Sequence, residues 1–189
     1  LSVFLGLELC FDCSLPTDFL VYGLDEEFLR SHKFLNQMDL DSFLNILPDD
    51  ALIYQAHPFR NNIHIIPPNK LFGIEAHNGN PRHDSRNDIA HAWADKFNLH
   101  KISGSDFHQT EDVGRGGLIL NRTVKNNKEL VDALRADNER LNSHLTAALG
   151  KVSHSRRDLD GHSAVFGKGK VCSGHNMQRY IAVNAAVEG

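Results

Sequence analysis

The sequence predicts an α/β fold in which short buried strands alternate with amphipathic helices and end in polar loops. Three observations predict it. Apolar runs break off at a carboxylate or an imidazole: Leu1 to Leu7 at Glu8, Leu52 to Tyr54 at His57, and Leu99 to Ile102 at Asp106 and His108. Between the runs lie segments of helical spacing, clearest in Ile89, Trp93 and Phe97. The polar strand ends recur in order along the chain. In open parallel sheets and in β/α barrels, functional groups gather at the carboxyl ends of strands.

Composition narrows the class. The 189 residues are 41% hydrophobic, enough for one domain with a real core. The net charge of -4 gives no reason to expect nucleic acid or an anionic membrane surface as a partner. No run approaches the ~18 apolar residues of a membrane span. Leu1 to Leu7 lacks a basic lead-in and is cut by Glu8, so it reads as a strand rather than a leader. Cysteine is sparse (Cys10, Cys13 and Cys172), which argues against a disulfide framework and makes a reducing, cytoplasmic setting the default. Cys10 and Cys13 have C-x-x-C spacing without a second pair, and read as two thiols in a strand-end loop.

Taken in order, Phe19 to Tyr22, closed by Gly23, is a buried strand. Asp25 caps a short helix through Leu29, and Asp39 caps a second whose Phe43, Leu44 and Leu47 share one face until Pro48 stops it. Ala51 to Tyr54 delivers His57, with Arg60 three residues further on. Leu71 to Ala76 is the next strand, turned by Asn78-Gly79-Asn80-Pro81. Asn87 or Asp88 caps the helix that places Trp93 in the core, and His91 and His100 read as structural. If Asp106 and His108 continue the strand before them, the pleat sets both on one side, as a divalent metal requires. Gly114 to Gly117 is a turn, and Leu118 to Leu120 a strand. Asn126 and Glu129 form a capping box for a helix with Leu130, Val131, Leu134 and Leu141 on one face. Residues 1–146 read as one β/α domain. From 147 to 189 the chain becomes basic and glycine-rich, and reads as a flexible or loosely packed tail.

The motifs G-L-E (Glu8), D-F-L-V-Y-G (Asp18 to Gly23), A-H-P-F-R (His57), G-I-E-A-H-N-G (Gly73 to Gly79) and S-G-S-D-F-H (Asp106, His108) stand in one order. In that order the sequence resembles the PHP superfamily, the polymerase and histidinol phosphatase group of metal-dependent phosphoesterases. The likeness covers roughly residues 1 to 142 and points to the small stand-alone members. It implies an incomplete, distorted β/α barrel of the TIM-like, seven-stranded PHP kind, with two or three divalent ions (zinc, manganese or iron) at its mouth. By resemblance, Glu8 is the metal-bridging carboxylate, and His57, Asp106 and His108 are ligands, with Asp106 and His108 at the catalytic centre. Arg60 is a candidate contact to a substrate phosphate. Members of the family open on an H-x-H motif that nothing here matches, so the resemblance implies that the first β/α units lie upstream. The expected activity is hydrolysis of a small phosphate ester or nucleotide by metal-activated water. The alternative is a non-catalytic relative that serves as a binding or structural module.

Overall fold

The computed structural model describes residues 2–11, 16–112, 114–120, 122–136, 164–165 and 178–185. Strands β1 (Ser2–Cys10), β2 (Asp18–Tyr22), β3 (Leu52–Gln55), β4 (Gly73–Asn78) and β5 (His100–Gly104) form one open mixed sheet in the order β5-β4-β3-β2-β1. Helices α1 (Glu26–Ser31), α2 (Leu40–Ile46), α3 (Asn87–Phe97) and α4 (Asn127–Ala136) lie among and after them. A two-residue strand, β6 (Leu118–Ile119), pairs with β7 (Ala164–Val165), and β8 (Gln178–Ala185) runs antiparallel along β1.

The strand directions explain why the expected barrel is not what is seen. The connection from Phe11 to Thr17 is shorter than the dozen or so residues that a parallel crossover needs, so β1 and β2 pair antiparallel. β2 and β3 are antiparallel as well, and only β3-β4 and β4-β5 are parallel. A closed β/α barrel requires parallel strands staggered around a ring, with the two edges joined. Here β5 stands at one edge of the sheet, and no described strand joins it to β1 or β8. The sheet is therefore open rather than closed into a TIM-like barrel.

Both faces of the sheet are covered, as the continuous burial of β2 and β3 requires. On one face Phe4, Leu20, Tyr22, Leu52, Tyr54 and Ile102 pack against Leu130, Val131, Ala133 and Leu134 of α4. On the other, Leu7, Leu9, Phe19, Val21 and Ile53 meet Leu35 and Phe43 beneath α1 and α2. α3 closes this second face over Ile74 and Leu99.

The helix signals hold locally. Asp25 accepts from Phe28 N at 2.7 Å and Asp39 from Ser42 N at 2.8 Å, the two expected N-caps. Asn126 accepts from Glu129 N at 2.9 Å while Glu129 accepts from Lys125 N at 2.8 Å, a box displaced by one residue on its return bond. The cap of α3 differs. Asn87 Oδ1 accepts from Asn78 N at 3.0 Å and its Nδ2 donates to Asn78 O at 3.1 Å, so this side chain ties the helix to the end of β4 instead of capping it. Trp93 is half-buried, not core. Ala90 and Ala94 form the buried line of α3, because small side chains let the helix lie close on β4, and Ile89 and Phe97 flank it at 43% and 39% exposure. Trp93 packs edge-on to Phe59, ring centroids 5.9 Å apart. Cys13, Leu141, Cys172 and most of 147–189 lie outside the described residues.

Candidate metal centre

The antiparallel hairpin sets the first half of the site. Because β2 runs back along β1, its start lies beside the end of β1: Cys10 pairs with Asp18 and Glu8 with Leu20. Asp18 and Leu20 are two residues apart, so Glu8 and Asp18 project from the same face of the sheet. β3 then brings its own carboxyl end alongside, where Ala56 N donates to Asp18 O at 2.9 Å. The next residue is His57, in left-handed backbone at φ 30°. Its Nε2 stands 3.3 Å from Asp18 Oδ2.

One ligand atom each from Glu8, Asp18 and His57 thus lies within 4.8 Å of the others. Glu8 and His57 are each only 3% exposed. His57 Nδ1 is buried and has no hydrogen-bond partner among the described residues. Two carboxylates and an imidazole at this spacing fit a divalent ion of the zinc, manganese or iron type. Burial first, and then the charges of Glu75 and Glu8, push the Tyr22 hydroxyl well above its ordinary range, so both carboxylates act on the ring beneath them.

A second group of side chains adjoins the first. Glu75 projects from β4, and its Oε2 accepts from His57 N at 2.8 Å and from Asn78 Nδ2 at 2.9 Å. Gly104 makes room for it: a Cβ there would come within 2.8 Å of Glu75 Oε1. Asn78 Nδ2 also reaches Asp106 Oδ2 at 3.3 Å. Asp106, 1% exposed, receives Arg60 Nη2 at 2.5 Å. Arg60 is pinned by Asn78 Oδ1 at 2.7 Å and by Ser85 Oγ at 3.1 Å through its Nε.

The D-x-H segment is not strand. β5 ends at Gly104, and Asp106 takes φ 45°. The chain therefore turns, and His108 folds back with Nδ1 2.9 Å from Asp106 O and 3.5 Å from Asp106 Oδ1. Left-handed residues of this kind cost about 1–3 kcal/mol each and persist where their surroundings over-determine them. Asn80 Nδ2, donating to Asp106 O at 3.1 Å, is part of that hold. Asp112 fixes the following turn. It is gripped by both guanidinium nitrogens of Arg82 and accepts from His108 N and Gln109 N at 2.9 Å. The Arg82 fork, helped by these two amides against the cost of burial, holds the Asp112 carboxyl far below the usual range.

Of the residues expected from sequence, the structure gathers Glu8 and His57 into the three-residue cluster. It sets Asp106 three hydrogen bonds from His57, through Asn78 and Glu75, with His108 folded on Asp106 and Asp106 paired with Arg60. Asp18 joins the cluster without a signal of its own in the sequence, because it opens an apolar strand. The usable signal was the short hairpin, which returns the start of one strand to the end of the previous one. Asn78 also lacks one of its own, since the asparagines around it look like turn chemistry alone. His77, half-buried, and Asn78, Asn80, His83, Ser85 and Arg115 help line a groove of about 710 Å³ beside this network.

Residues 84–138 match the family model described as PHP-associated. That match supports a relationship to the PHP superfamily over this segment. The matched segment holds α3, β5, Asp106, His108 and Asp112, whereas Glu8, Asp18 and His57 lie before it. No curated protein and no solved structure matches the chain. Among the described residues no helix is long and apolar enough to cross a membrane.

Proposed function

We propose that this protein is a metal-dependent phosphoesterase acting on a small phosphate ester or nucleotide, with Glu8, Asp18 and His57 holding a divalent ion. The observation that carries the reading is the convergence of one donor atom from each of those three side chains within 4.8 Å, with Glu8 and His57 buried. A divalent ion in such a site supplies Lewis acidity toward a phosphoryl oxygen and lowers the pKa of bound water toward neutrality. The chain's own residues do the rest. Glu75 fixes the backbone of His57 and so aims its ring. Arg60 is the substrate contact: two of its nitrogens are committed to Asp106, Asn78 and Ser85, and Nη1 has no hydrogen-bond partner among the described residues, leaving its donors for a phosphate oxygen. Asp106 orients the guanidinium, and His108 folds against Asp106.

A second reading, a non-catalytic binding module, is favoured by the Arg60–Asp106 pair, which commits a buried carboxylate that a larger metal cluster would use. Titration of the protein with zinc and manganese, followed by hydrolysis of a chromogenic phosphomonoester and a phosphodiester, separates the two. Metal binding with metal-dependent turnover supports the phosphoesterase. Metal binding without turnover of either ester supports the module, and absence of binding removes the site altogether.

A further inference from the structure

The chain contains a cation of its own beside the cluster. Arg60 Nη2 lies 2.5 Å from Asp106 Oδ2, in a place where only 14% of the Arg60 side chain and 1% of the Asp106 side chain reach solvent. Three side chains hold the guanidinium: Asp106, Asn78 and Ser85. Asn78 then bridges Asp106 to Glu75, and Glu75 grips the backbone of His57. The charge of Arg60 is therefore bonded into the frame that builds the metal cluster. A carboxylate oxygen within hydrogen-bond distance of a fixed guanidinium is compensated already, and a metal ion approaching it meets a like charge at a few ångström.

We infer that Arg60 is a positioning residue that sets the metal count: by occupying Asp106 it limits the site to the single ion held by Glu8, Asp18 and His57. Release of Arg60 removes the positive charge that compensates Asp106, and Asp106, with His108 folded beside it, then takes a second divalent ion. The inference rests on the proposed metal site. It differs from a purely structural role for Arg60, because a structural residue would alter folding without altering the number of ions held.

The test is equilibrium dialysis against manganese with elemental analysis, on the wild-type protein and on Arg60→Ala, Arg60→Gln, Arg60→Lys, Asp106→Asn and the double variant Arg60→Ala/Asp106→Asn. Circular dichroism monitors the fold of each. The wild-type protein should hold about one ion per chain. Arg60→Lys should stay at about one, since the ammonium keeps the charge. Arg60→Ala and Arg60→Gln should rise to about two, and the double variant should return to about one. Asp106→Asn alone should leave the wild-type count unchanged, and this arm decides even where the Arg60 variants do not fold. Two ions in the wild type, one ion in both neutral Arg60 variants, a second ion that survives loss of Asp106, or loss of the ion in Asp106→Asn would each overturn the inference. No ion in any form would instead overturn the metal site beneath it.

Discussion

At the scale of residues, the site depends on a few buried polar side chains whose partners are specific. Asp18 stands 3.3 Å from His57 Nε2 and shares the cluster with Glu8. Asp18→Asn keeps the shape and removes the charge, so zinc affinity should fall at least tenfold while the circular dichroism spectrum is preserved. Calorimetric titration of both proteins checks this, and equal affinities would remove Asp18 from the ligand set. Glu75 acts one step out, through the amide of His57. Outer partners of metal ligands are typically worth about 10–100-fold in affinity, and Glu75→Gln should fall in that range. The same titration with the Gln variant shows whether the loss is this large or negligible.

At the scale of elements, capping and close approach matter most. Asp39 opens α2 and accepts from both the amide and the hydroxyl of Ser42, at 2.8 Å each. Its carboxyl is pulled below the usual range first by the Ser42 amide. Asp39→Ala should destabilise the fold by about 1 kcal/mol, the usual cost of losing an N-cap, measured by urea unfolding. α2 matters because Phe43, fully buried beneath it, packs edge-on to Phe11 at 5.6 Å. Phe43→Ala should cost about 3–5 kcal/mol by the same measurement. Gly73 is needed for a different reason. A Cβ there would come within 2.2 Å of His100 O, on the backbone of β5, so even alanine would force β4 and β5 apart.

At the scale of the whole molecule, acid should attack the segment that carries Asp106. Asp112 has its folded-state pKa lowered, mainly by Arg82, relative to an unfolded value of about 3.9. A depressed carboxyl contributes stability that is fully present above the unfolded pKa and is lost as pH falls through the folded value. Wild-type melting temperature should therefore drop as pH is lowered below about 4. In Asp112→Asn the melting temperature should be lower at neutral pH, and this part of the acid-side slope should flatten. Thermal melts from neutral pH to pH 2 on both proteins measure the difference, and parallel curves would show that the Arg82–Asp112 pair does not contribute.

The sequence alone determined the elements. Apolar runs, helical spacing and the capping residues Asp25, Asp39 and Asn126 are local signals, because each acts within one turn or one strand. Glu8 and His57 stood out for a similar reason, as polar residues that follow an apolar run, although β1 continues past Glu8 to Cys10. What the sequence could not decide was how the strands lie together. Asp18 joins Glu8 only because a seven-residue connection folds β2 back along β1, and Asp106 meets Arg60 only because β3, β4 and β5 run parallel and bring their carboxyl ends to the same end of the sheet. The open sheet likewise follows from strand direction, and the half-exposure of Trp93 from how closely α3 sits on β4. These are contacts between residues distant in the chain, set by packing and register, and no single segment carries them.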